Sequence, residues 1–170
     1  FMGTLVFAKP DDGSDRRRIV DGQQRLATTA VLLVAIRERL LELGRGELAE
    51  NTTKRYLRPY SIRDEGQVDS LILSPKDQDS YDRLTAGEAD QLAANDRLRG
   101  CYEECREHVT SLAPLDQDYK NLVDLIDQLD RDVQVLVAVA SDLPEAYVIF
   151  ETLNDRGADL TTADLLKNYL

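Results

Sequence analysis

Tryptophan is missing from this 170-residue chain, and four other residue types are scarce: three Phe, one His, one Met and two Cys. A core without Trp and nearly without Phe must be built from Leu, Val, Ile and Ala. At this length one such core is within reach. Long apolar runs are lacking too. The longest, residues 30–36, falls far short of the roughly 20 residues that a membrane span needs. No basic stretch followed by an apolar one opens the chain, so nothing reads as a secretory signal. Positive charge is in deficit, with 21 Lys and Arg against 32 Asp and Glu for a formal −11. That balance excludes a protein that coats DNA or an anionic membrane, since both need a positive surface. It leaves room for a local basic pocket, and Arg16, Arg17, Arg18 and Arg25 outline one. The ordinary reading of the first three is a solvated loop.

What is present, 42% apolar and 31% charged residues, is the composition of a globular domain. The cysteines, Cys101 and Cys105, stand four apart in a helical pattern, a spacing that shares a face without reaching disulfide geometry. A reducing, cytoplasmic location is therefore expected. His108 extends the set to C-x3-C-x2-H, but zinc sites usually draw ligands from separate elements, so a half-buried helix face is the expectation.

The periodicities predict an α+β fold: a small sheet, made of a hairpin plus further short strands, packed by several helices. Residues 3–8 and 17–20 read as the hairpin, with a Pro-Asp-Gly turn between them. From Gln23 apolar residues recur at three and four, predicting a core helix that Gly44 and Gly46 end. Residues 51–60 suit a short helix or loop, 70–74 a short strand, and 85–95 a loop. Residues 97–112 and 120–129 read as amphipathic helices, and 133–139 as a buried β-branched strand. Asp142 with Glu145, then Thr161 with Asp164, are capping pairs that predict helices from 144 to about 153 and from 161 to the end. Both ends look cut, so a single domain over 1–170, trimmed from something longer, is expected.

Two segments carry chemistry. In the first, Ile19 and Val20 end a strand, Asp21 and Gly22 make a turn, and Gln23, Gln24 and Arg25 open a helix. A helix start offers free N–H groups and a positive dipole end to an anion. Arg25 suits a bidentate phosphate contact, Gln23 and Gln24 suit phosphate or base edges, and Thr28 and Thr29 add hydroxyls one turn on. Asp21 suits a divalent cation or an oriented water. The alternative stands beside it: Asp21 caps the helix and the Gln and Arg side chains are solvated. The second segment gathers Asn154, Arg156 and Gly157 before a helix on which Asp164, Lys167 and Asn168 share a face. It reads either as a loop with a solvated ion pair or as a second polar wall of one pocket with Arg25.

Together the segments resemble the N-terminal, GmrS-type domain of the GmrSD family of modification-dependent restriction proteins, long known as a domain of unknown function. Residues 20–25, followed by Leu26-Ala27-Thr28, match its (I/V)DGQQR motif and Leu-Thr-Thr continuation, with Ala27 in place of a common Thr. Residues 150–168 match its F-x-x-L-N-x-x-G-x-x-L-x-x-x-D-L-L-K-N motif without a break. The resemblance implies a core similar to ParB and sulfiredoxin, with helical additions. It also implies nucleoside triphosphate binding and hydrolysis with Mg²⁺, coupled to recognition or cleavage of modified phage DNA. Asp21 and Arg25 would be catalytic, and Gly22, Gln23, Gln24, Thr28 and Thr29 would join them around the nucleotide. Asp21 would be the metal ligand. The family's upstream I-P-x-Y-Q-R segment and its C-terminal HNH-type nuclease region are not in this sequence, and one histidine is too few for an HNH site. DNA and a nuclease half are thus the partners implied through the longer protein, with no membrane partner. A non-catalytic nucleotide or modified-DNA sensor that gates a nuclease elsewhere is the alternative.

Overall fold

The computed structural model describes residues 2–10 and 16–155. In chain order the strands are β1 (Thr4–Ala8), β2 (Arg18–Asp21), β3 (Tyr60–Ser61), β4 (Gly66–Gln67) and β5 (Leu136–Ala140). The helices are α1 (Gln23–Glu42), α2 (Gly46–Thr52), α3 (Gln78–Thr85), α4 (Arg97–Leu112), α5 (Tyr119–Arg131) and α6 (Leu143–Asp155). The expected α+β class holds. The chain forms two compact units, one from Phe1–Gln23 with Val133–Leu170, the other from Gln24–Asp132.

The first unit is a three-stranded sheet in the order β2-β1-β5. β1 runs antiparallel to β2, as the hairpin pattern predicts, with a register shift between Val6 and Phe7. It runs parallel to β5, with Thr4 beside Leu136 and Ala8 beside Ala140. Helix α6 follows β5 and packs Ala146 on Val6, Ala8 and Ala140, with Val20, Leu143 and Ile149 around them. Its start is capped as expected: Asp142 accepts from the Glu145 N–H at 2.8 Å, and Glu145 accepts from the Ser141 N–H at 2.7 Å. The strand over 133–139 needs correction. It forms as β5, but at a sheet edge, where Leu136, Val137 and Val139 are 51%, 50% and 42% exposed. A continuous β-branched run signals a strand covered on both faces, whereas among the described residues β5 has a neighbour on one side only.

The second unit is helical. α1 buries Val31, Val34, Ile36 and Leu40, against which the periodicity had set it as the central helix. Leu84 and Tyr81 of α3, Val109 of α4 and Leu122 of α5 complete the apolar interior. The short helix allowed over 51–60 forms, but it belongs to a longer stretch that begins at Gly46, where a helix end is expected. Residues 53–57 continue α2 as a π-helical turn. Two features escaped the sequence reading: β3 and β4 form a two-residue hairpin, and α3 lies where no helix was foreseen. The strand expected over 70–74 does not form. Ser70 instead donates its backbone N–H to Leu57, and Leu73 donates to the Gln78 side chain, so the segment is held by turns rather than a ladder.

Candidate functional site

The strand-to-helix turn forms as the motif requires. β2 ends at Asp21, Gly22 adopts φ 91, and α1 begins at Gln23. A positive φ is costly for any residue with a Cβ, so Gly22 is what lets a four-residue strand turn directly into a twenty-residue helix. The first turn of α1 holds no acidic side chain. No carboxylate of that turn offsets the positive dipole end, which favours negative charge there.

The side chains divide by what already engages them. Gln23 is exposed, yet its Nε2 donates to the Ile19 carbonyl at 2.8 Å, which clamps the turn back onto β2. The Thr29 hydroxyl donates to the Arg25 carbonyl at 2.8 Å, a bond within the helix that uses its one donor. Gln24 and Thr28 are exposed, while Asp21 and Arg25 are half-buried. Arg16, Arg17 and Arg18 are exposed, and Arg18 opens β2 rather than lying in a loop. The local bonds of Gln23 and Thr29 were not foreseen, because both are made by residues four apart in sequence whose pairing depends on where the helix begins.

Of the second polar cluster, Asn154 lies in the last turn of α6. Arg156, Gly157, Asp164, Lys167 and Asn168 fall outside the described residues, as does the capping pair Thr161 and Asp164. The predicted meeting of Arg25 with Asn154 and Lys167 falls with them.

The cysteine pair behaves as a helix face. Both thiols are free and half-buried on α4. Burial, with Cys101 beside it, pushes the Cys105 thiol up to about 11, away from the thiolate form that binds metal. Among the described residues no group of three or more His, Cys, Asp or Glu side chains is placed to hold a metal ion. Among them, too, no helix is long and apolar enough to cross a membrane.

The elements are those of a small α+β protein in which an Asp-Gly-Gln-Gln-Arg segment joins β2 to α1 in sequence. The chain belongs to the family described as the GmrSD restriction endonuclease, N-terminal domain, whose family model matches residues 1–170, the whole chain. It is thereby a component of restriction systems. A comparison with curated proteins gave no match.

Proposed function

We propose that this domain binds a nucleoside triphosphate at the Asp21–Arg25 turn and hydrolyses it to regulate restriction of modified DNA. The observation that supports this reading is the junction itself: a strand, a left-handed glycine, and a long helix whose first turn has no acidic residue. Phosphoryl transfer asks mainly for positioning and charge neutralisation, and this junction supplies donors, dipole and Arg25 in one short segment. Asp21 is the sole carboxylate between Arg16 and Ala30, enough to hold Mg²⁺ only when phosphate oxygens fill most of its shell. The metal, when bound, would neutralise phosphate charge. The chain's own share is to orient the phosphates on the α1 N–H groups and Arg25. DNA and the nuclease half would be met through the longer protein.

One pair of observations favours the second reading, a sensor that binds without turnover. Two candidate donors to the phosphates, the Gln23 Nε2 and the Thr29 hydroxyl, already donate to backbone carbonyls, which leaves fewer groups to act on a transferred phosphoryl. The test is binding and hydrolysis of GTP, ATP and CTP with Mg²⁺, beside Arg25→Ala. Replacing Arg25 is expected to weaken binding about tenfold or more, the worth of a charge-assisted bidentate contact. Turnover lost in the variant supports the hydrolase. Binding without turnover transfers the reading to the sensor, and no binding to the wild-type chain defeats both.

A further inference from the structure

Among the described residues β5 pairs on one side only, with β1. Leu136 donates its N–H to Gly3, and the carbonyls of Gln134 and Ala140 accept from Met2 and Lys9. Even-numbered residues of this segment thus turn their backbone groups toward β1. Alternation along an extended chain then directs those of Val135, Val137 and Val139 outward. Among the described residues no strand lies beyond β5. The strand's own sequence carries none of the usual guards of an edge. Leu136–Ala140 reads LVAVA, with no charge, no proline and no bulge against β1. Val135, Leu136, Val137 and Val139 are exposed, as are Tyr147 and Val148 of α6.

An occupant must therefore be an extended strand, uncharged and apolar along its length. The chain has such a strand in β5 itself. Residues 135–139 read Val-Leu-Val-Ala-Val, so a two-fold axis at Val137 sets Val135 of one copy opposite Val139 of the other. All three residues with outward backbone groups are valines, and each meets a valine. We infer that β5 pairs antiparallel with β5 of a second copy, joining two three-stranded sheets into one of six. The pairing adds up to about six backbone hydrogen bonds. It covers Leu136, Val137 and Val139, and because the interface is isologous it closes at the dimer. The inference is independent of the nucleotide reading.

Net charge opposes it at long range, since each copy carries −11. Screening should relieve that repulsion, so dimerisation is expected to tighten as salt rises from about 0.05 to 0.5 M. The test is sedimentation equilibrium of the full chain beside Val137→Lys and Val137→Pro. Proline removes only a donor that faces away from β1, so the sheet within one copy is expected to survive. The wild type should form a dimer at micromolar concentration, and either substitution should weaken it about tenfold or more. Hydrogen exchange on the wild type avoids any folding defect of the variants: Val137 and Val139 amides should be protected in concentrated samples and exposed in dilute ones. A monomer throughout, open-ended assembly, or a dimer with those amides equally exposed at both concentrations would overturn the pairing.

Discussion

Arg37 sits on the apolar face of α1, 8% exposed, where periodicity alone would place a leucine. Its guanidinium is satisfied from two sides. Nη1 donates to the Thr85 carbonyl at 2.6 Å, at the end of α3, and Nε donates to Glu38 at 3.0 Å. The residue thus closes free carbonyls of one helix while riding on another, which a hydrophobic residue cannot do. Arg37→Ala leaves those carbonyls and Glu38 without their donor, and an expected loss of about 3 kcal/mol follows. Urea unfolding should register it as a lower midpoint with an unchanged slope. Gly22 makes the complementary case for backbone. At φ 91, Gly22→Ala is expected to cost about 1–2 kcal/mol without touching a functional side chain. A wild-type melting curve for that variant would mean the turn relaxes freely and is no rigid cradle.

At the scale of elements, α4 shows how a single carboxylate sets a boundary. Asp96 accepts from the Leu98 and Arg99 N–H groups at 2.8 and 3.1 Å, and from the Ser80 hydroxyl at 2.6 Å. The Ser80 bond, ahead of the backbone ones, holds its carboxyl below the ordinary aspartate value. A carboxylate depressed in the folded state stabilises fully above its unfolded value, about 3.9, and that contribution is lost as pH falls through the lower folded value. Asp96→Ala should cost about 1 kcal/mol at neutral pH. Asp96→Asn, still an acceptor, should keep most of the cap while flattening the acid limb of thermal stability. An acid limb identical to the wild type would remove Asp96 from the account. Helices such as α4, α5 and α6 were readable in sequence because cap and stripe are local signals, repeated over three turns or more. The strand-to-helix turn at Asp21 and Gly22 was readable for the same reason, since its residues are contiguous in the chain. β3 and β4 were not readable, because two-residue strands have no periodicity and their turn places a non-glycine, Glu65, at φ 51. Residues 70–74 misled for the opposite reason: their apolar run matches a strand, but a strand also needs a neighbour, and that information is non-local.

For the whole molecule the telling fact is that the sheet is interrupted by everything else. β1 and β5 are adjacent and parallel, yet the entire helical unit, Gln24–Asp132, is inserted between β2 and β5. Closing that loop costs entropy before any ladder bond forms, whereas the helical unit is built largely from nearer contacts. The two interiors also differ in substance. The sheet unit centres on Val6 with three alanines, Ala8, Ala140 and Ala146. The helical unit encloses Tyr81, Ile36, Leu40, Leu84, Leu122, Val31, Val34 and Val109 at less than 2% exposure. Small side chains bury little apolar area each, so the sheet is expected to open at lower free energy than α1. Native-state hydrogen exchange, run dilute to keep the β5 edge single, should find amides of Val31–Ile36 released only with global unfolding. Those of Leu5, Phe7 and Ala138, bonded across β1 and β5, should be released earlier and together. Equal protection of both sets would mean that the small alanine core and the large aliphatic one unfold as one cooperative body. A sheet more protected than α1 would reverse the order in which loop closure and buried area place them.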